Sequence, residues 1–591
     1  MERRLLVAIL LTFIVLTVYQ WMMPTPAIQP GAKPGEAVGA GAASTVPAAT
    51  GAQGSSPAAG AAAAALPPVE TVVADTAERR IVIDNGLVHA VFSNRGGVLV
   101  SWGLTQYHDT AGKPVDLVPH DVPANAAKPF SLKLADAAES ERVNTALYSV
   151  QAGTPDTISA TTTPAAVIFE YQDASGLHVR KQFRLDPNSY IVEFIPTVMN
   201  GEQAVNPTIQ WGPGLGDALA LAAGGNARRA EAIFEITGKS PTRVAAGKLT
   251  PTPHYQGVYE FAGVDTHYFI AVAIKPGAAE LDYHPVSVPV AGATPPISRD
   301  YIGYDIHYQQ PVKAARFFVG PKHFQTLQKA DPELVRAVWF GMFAFLAVPL
   351  LSALNWINGF VGNYGWSIIV LTIIINAAMF PLRHKSFVSM KKMQAIQPQV
   401  KAIQDRYAKL KVTDPARQKM NTELMELYRL KGVNPASGCI PMLLTMPVLL
   451  AFYGLLSESI ELRGAPFIFW LKDLSVADPY YVTPILMGIS QIVQQKMTPM
   501  TGADPVQQKM MLFMPVVFTF LFITSPSGLA LYWFFSNVLV IGQQQLTNYL
   551  IGEPTIRTPR SSAERKMKKV GESSTTATEQ RADQSGSEPH N

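Results

Sequence analysis

Cysteine is almost absent. The chain of 591 residues holds one, Cys439, so no disulfide can form within it, whatever compartment its parts occupy. Charge is scarce as well: 16% of residues are charged against 48% hydrophobic, which is low for a soluble protein. The formal net charge of +4 is too small to imply nucleic-acid binding, so the distribution of the bases carries the information. No acid pair of glycosidase type and no set of metal ligands stands out, and no cofactor, metal or small-molecule substrate is expected. No Asp or Glu lies deep in any long apolar run, which argues against a proton-coupled transporter, since that needs titratable relays. A phosphate loop is missing too. Gly238, Lys239 and Ser240 resemble the end of one, but Ile233 stands where its first glycine belongs.

Long apolar runs are what the sequence has in quantity. From Trp366 to Leu382 the chain is nearly pure hydrocarbon around one amide, Asn376. Such a run predicts a membrane-spanning helix, because lipid forces every backbone polar group to be satisfied internally. Arg383, His384, Lys385, Lys391 and Lys392 follow it and mark its cytoplasmic end. Further spans are expected at Ile440–Leu456, Tyr480–Met497, Met510–Ile523 and Leu529–Leu550. Residues 1–23 carry Arg3 and Arg4 before an apolar run, and Pro24 to Pro26 make a poor cleavage site. An anchor is therefore favoured over a cleaved signal peptide. The total is six spans with both termini in the cytoplasm.

Residues 24–68 are almost wholly Ala, Gly, Pro, Ser and Thr, and read as a flexible tether. Residues 69–325 lack any run long enough to span. Short β-rich segments such as AAVIFEY and LHVRKQFRL, punctuated by turn residues, predict an exported antiparallel β-sandwich. Its WGPGLGD stretch, Trp211 to Asp217, reads as a turn or as the lining of a sugar site. Residues 326–349 suit a helix lying at the membrane interface, and 350–382 the second span. In residues 383–432 about a dozen bases face four acids. The spacing of Met393, Ile396, Val400, Ile403, Tyr407 and Leu410 predicts a basic helical hairpin. It either fixes topology or docks ribosomal RNA or a protein partner. Residues 436–551 hold the remaining four spans, and 552–591 form a disordered tail containing Lys566, Lys568 and Lys569.

Polar side chains inside the spans are costly in lipid. Thr372 and Asn376 share a face of the second span, Gln491, Gln494 and Gln495 share one on the fourth, and Ser536 and Asn537 interrupt the last. They either hold helices together or line a wet cavity for a polar client. Methionines near the inner face, among them Met446, Met487 and Met510, suit varied apolar clients or face lipid.

Four stretches carry a resemblance. NPASGCIPMLLTMPVLLAFYG from Asn434, DPYYVTPILMG from Asp478, DPVQQKMMLFMP from Asp504 and SPSGLALYWFFSN from Ser525 resemble the YidC membrane protein insertases, in that order and spacing. NRGG and WGPGLG resemble that family's periplasmic domain. The resemblance implies a polytopic α-helical membrane protein of the bacterial inner membrane. It has a five-helix insertase core, a periplasmic all-β supersandwich domain and a cytoplasmic helical hairpin. It also implies an insertase and folding chaperone for nascent membrane proteins, not an enzyme, working alone or with the Sec translocon, with ribosome and lipids as partners. The client would pass a hydrophilic groove lined by Thr372, Asn376, Thr445, Tyr532 and Trp533, with Gln491 and Gln495 nearby. Arg383, Lys385, Lys391, Lys392 and the three tail lysines are the expected ribosome or partner contacts. One departure is plain: the family usually places a base where this chain has Asn376. Arg383, seven residues on, substitutes only if its side chain reaches back along the helix. The competing reading is an envelope polysaccharide-binding transporter or enzyme that uses the β-sandwich.

Overall fold

The computed structural model describes residues 70–109, 112–123, 125–216, 230–249, 253–289, 298–407, 416–433, 440–497 and 505–551. They fall into two units, Met1–Val338 and Trp339–Asn591. The expected anchor at 1–23, the tether and the basic tail lie outside the described residues.

In the first unit, β1 (Arg80–Asp84), β2 (Val88–Ser93), β3 (Val98–His108) and β4 (Pro114–Asp116) precede β5 (Ser131–Lys133), helix α1 (Ala137–Thr145) and β6 (Thr157–Ser159). A five-stranded sheet runs in the order β4-β3-β2-β1-β6. Then come β7 (Ala165–Asp173), β8 (Leu177–Leu185), β9 (Ile191–Asn200), β10 (Thr208–Trp211), β11 (Glu231–Ile236), β12 (His254–Asp265), β13 (Phe269–Pro289), β14 (Ser298–Tyr308) and β15 (Ala315–Pro321). They belong to a 14-stranded sheet whose path includes β7-β8-β9-β15-β13-β12-β11, with β14 joining β13 to β10 and β5 beyond. Period-two alternation builds them: along β7 and β8 every second side chain is buried. β13 changes partner midway, from β15 to β14, across Lys275 and Gly277, which have φ of 46° and 71°. This turns one long strand into a corner.

Aromatic rings fill the core. Phe130 sits at its centre, with ring centroids 5.2, 5.0, 5.4 and 5.2 Å from those of Phe183, Phe194, Trp211 and Phe317. The Trp102 indole donates to the Val319 carbonyl at 2.8 Å and fastens the smaller sheet to β15. NRGG is a folding knot. Asn94 is buried and donates to the carbonyls of Ala77 and Tyr148, while Gly96, at φ 77°, has the Asn144 carbonyl where a Cβ would stand. The buried Lys181 donates to the carbonyls of Gly96 and Phe130 at 2.6 and 3.0 Å. The GKS segment is the turn between β11 and the next strand, with Gly238 at φ 79°, and no helix follows to make it a phosphate loop. Helix α2 (Phe324–Ala330) and a 3-10 turn, Pro332–Ala337, close this unit.

The second unit is helical. Its elements are α3 (Ala344–Val361), α4 (Tyr364–Ala395), α5 (Gln397–Arg406), α6 (Ala416–Lys431), α7 (Ile440–Glu458), α8 (Val482–Met497), α9 (Pro505–Phe522) and α10 (Ser527–Ile551). Gly362, left-handed at φ 70°, ends α3, and Asn363 caps α4 by accepting from the Trp366 amide. The break therefore falls at 362–363, and the boundary drawn at 349–350 lies inside α3. Pro349 sits inside this helix without ending it. α4 likewise does not stop at Leu382; it runs on through the basic cluster to Ala395. Among the described residues two helices, Gly341–Val361 and Tyr364–Ala395, are long and apolar enough to cross a membrane. Phe345, Ile374, Ile489, Phe513 and Phe520 stand exposed on helix surfaces, a distribution that lipid accommodates and water does not.

One end of this bundle is stitched shut. The Ser527 and Gly528 amides at the start of α10 donate to the Val476 and Leu474 carbonyls at 2.7 and 3.0 Å. Asp478, buried, accepts from the Trp470 indole and the amides of Tyr480 and Thr483 at 3.1, 3.0 and 2.8 Å. The Asn363 side chain donates to the Phe467 carbonyl at 3.1 Å, and Phe467 packs where Gly365 has no side chain.

Candidate functional site

From the stitched end, a polar line follows α4. Thr372 donates to the Ile368 carbonyl at 2.6 Å, and Asn376 to that of Thr372 at 2.8 Å. Arg383 then reaches back and donates to the Asn376 side-chain oxygen, and at 3.3 Å to that of Gln543 on α10. Gln543 returns a bond to the Asn376 carbonyl at 2.8 Å. Helical side chains lean toward the N-terminus, so an Arg seven residues after an amide arrives beside it. Arg383 is 5% exposed and therefore cannot serve as the surface ribosome contact expected of it. Its hydrogen-bond partners are neutral, and α4, α8, α9 and α10 contain no Asp or Glu. Among the described residues no carboxylate lies within salt-bridge distance of it. A cation so placed is held by dipoles alone, a costly arrangement whose natural complement is an anion.

Helix α10 is the hub of the remaining polar contacts. Asn537 donates to Ser490 of α8 at 3.0 Å, Gln544 to the Met497 carbonyl at 2.7 Å, and Thr547 lies 3.1 Å from the His384 ring nitrogen. The side-chain oxygens of Gln491 and Gln544 are buried with no hydrogen-bond partner among the described residues. Tyr532 is buried and stacks on Phe452 of α7 with centroids 4.1 Å apart, close enough to Arg383 to feel its charge. Trp533 points elsewhere, packing against Phe518 and Phe522 of α9 at 5.6 and 4.8 Å. Thr445 and Gln495 are half-buried.

Asn376 and Tyr532 thus stand by Arg383, Thr372 lies one turn beyond Asn376 on the same face, and Trp533 departs to the α9 side. Gln543, Gln544, Thr547 and His384 were not among the expected groove residues. The signal for the first three is the amide-rich QQQLTN at the end of the last apolar run, which is easily taken for the point where the helix leaves the membrane.

Beyond the polar line, Met393 at the end of α4, Ile396 before α5, Val400 on α5 and Val433 after α6 pack with Leu424, Leu427 and Tyr428 of α6. Arg406 and Glu423 pair at 3.0 Å, and the Tyr407 hydroxyl donates to Glu423 at 2.7 Å. Lys385 is exposed; Lys391 and Lys392 are half-buried, and Lys391 donates to the Asn548 carbonyl at 3.5 Å. Leu410 and the three tail lysines lie outside the described residues.

Comparison with known proteins gives this arrangement its context. Residues 356–553 match the family described as "60Kd inner membrane protein", and residues 80–353 match "YidC periplasmic domain". A protein of Geotalea daltonii named membrane protein insertase YidC is 34% identical over 93% of this chain and 99% of its own length. One of Wolinella succinogenes with the same name is 47% identical over 39% of this chain and 42% of its own. With two family matches that together span most of the sequence, and a relative aligned almost end to end, the chain belongs to the YidC family of membrane protein insertases.

Proposed function

We propose that this chain inserts and helps fold nascent membrane proteins in the inner membrane, and that their polar segments pass along the line from Thr372 to Thr547. The observation that carries this reading is Arg383, a buried cation with neutral partners and, among the described residues, no carboxylate beside it. The role is binding and transfer, not covalent chemistry. Six spans, both termini in the cytoplasm, and work beside the Sec translocon complete the proposal. A photo-crosslinking side chain at position 543 should capture a stalled nascent client, and one at Phe520, 76% exposed on α9, should capture mainly lipid. Equal capture at both positions would place the client path outside the polar line.

The helices α5 and α6, with the tail, form the proposed ribosome-docking surface. Its exposed bases would release counterions from ribosomal RNA, so binding should weaken steeply with salt. Neutralising Lys385, Lys566, Lys568 and Lys569 together should lower ribosome co-sedimentation and flatten the dependence on salt. An unchanged slope would leave these charges with the task of fixing topology.

A further inference from the structure

The first unit contains a cavity of about 290 Å³ that the insertase reading does not use. This is near the lower end for small-molecule pockets, roughly 300–1,000 Å³. Four neighbouring strands line it, and each contributes one polar side chain: Lys133 on β5, Gln210 on β10, His284 on β13 and Asp305 on β14. Register brings them together, since Gln210 lies opposite Asp305, and Gly303 opposite His284. Asp305 is the centre and is 3% exposed. One of its oxygens accepts from Gln210 at 3.1 Å; the other takes His284 at 3.0 Å and Lys133 at 3.5 Å.

The inventory of unused groups indicates what would bind. Both Asp305 oxygens are engaged, so the carboxylate has little left for a cation or a hydroxyl donor. Lys133 keeps N–H groups to spare, and the second ring nitrogen of His284 is a donor when the ring is charged. The hydrogen bond to Asp305 lifts the His284 imidazole above its ordinary range, against burial. Burial raises the Asp305 carboxyl, but the His284 bond and the His284 and Lys133 charges outweigh it and hold the carboxyl below the usual range. Lys133 brings a fixed positive charge to the cavity, and His284 adds a second when its ring is protonated; Asp282, opposite Asp305 in the register, is paired with His254 at 2.9 Å. The space is larger than a carboxylate needs. The Gln210 side-chain oxygen remains as an acceptor, and Ala126, Ala127 and Val286 offer short apolar surface. Such walls suit a ring with a hydroxylated edge and C–H faces.

We infer that this cavity binds a small hydroxylated carboxylate of single uronic-acid size, with the carboxylate on Lys133 and His284 and a hydroxyl on Gln210. The inference is independent of the client path, because every residue it uses lies in the first unit. The test is calorimetric titration of the full chain in lipid nanodiscs with glucuronate, glucose and acetate. Glucuronate should bind, with glucose and acetate each about tenfold weaker or more. Lys133→Gln should weaken glucuronate by about tenfold, and Lys133→Arg should restore it. Lys133 is half-exposed, so neither variant threatens the fold, and an unchanged unfolding temperature checks this. No heat with glucuronate, glucose or acetate binding as well, or indifference to Lys133→Gln would each overturn the proposal.

Discussion

Arg383→Met is expected to cut insertion of clients with acidic translocated segments by about tenfold or more, while leaving the protein folded and in the membrane. The fold survives because the substitution removes a buried charge: a mid-membrane Arg costs about 2.5–3.5 kcal/mol on the insertion scale, and methionine keeps the stem's volume. Function should be lost because a cation with neutral partners is what distinguishes the proposed groove from ordinary helix packing. Neutral clients should lose much less. Arg383→Lys should retain part of the activity, since an ammonium keeps the charge but not the fork that spans Asn376 and Gln543. The decisive variant is the double change Arg383→Met with Asn376→Arg, which returns the base to the position where the family usually carries it. Recovery of acidic clients by the double variant would show that the groove needs a cation at this depth, whichever residue supplies it. If Arg383→Met inserts acidic and neutral clients alike at wild-type rates, the arginine only holds α4 to α10.

The second large effect concerns stability. Lys181 is fully buried, and burial pulls its amine down to about 7 from the ordinary 10.5. Its company consists of the carbonyls of Gly96 and Phe130 and the Tyr148 ring, centred 5.6 Å away. A base whose pKa is lower when folded binds fewer protons in the native state between those two values. Stability therefore rises with pH across that window, and the full penalty is present below it. The slope approaches about 1.4 kcal/mol per pH unit at most. Calorimetric unfolding of the β domain in the full chain between pH 7.5 and 9.5 should show this rise, and Lys181→Met should flatten it. That interval lies below the tyrosines that burial raises, Tyr148 and Tyr283 among them. Parallel curves for the two proteins would mean that Lys181 is charged in the fold.

Much of this was legible in residue order, for physical reasons. AAVIFEY and LHVRKQFRL alternate, and alternation suffices to place side chains on one face of a strand. It even places Lys181 on the buried face with Val179 and Phe183, though its charge disguises the fact. The apolar runs announce helices in the same way. Two things were hidden. Helix ends depend on caps, so the break falls at Gly362–Asn363 and not at 349–350, inside an unbroken apolar run. The direction taken by a long side chain depends on its neighbours in space. The bases after Leu382 read as the edge of the membrane, yet Arg383 turns back toward Asn376. Gln543 and Gln544 are adjacent in sequence and serve different helices, α4 and α8, which no periodicity separates.

The stitched end of the helical unit has a bearing on the energy supply of the cell. A water-filled cleft through a membrane is also a leak, and an unguarded path for protons or sodium dissipates about 2.3 kcal/mol per elementary charge for each 100 mV of potential. Here the polar line stops beneath Phe467, Leu474 and Ser527, where backbone amides are already committed to loop carbonyls and packed rings fill the space between. On the proposed client path, such a cleft would be a cul-de-sac: a segment with acidic groups would enter it and depart sideways into lipid, and the stitched end would stand between the cleft and the far face. A cleft closed in this way would let the machinery stand ready in every idle moment without discharging the membrane that powers its host.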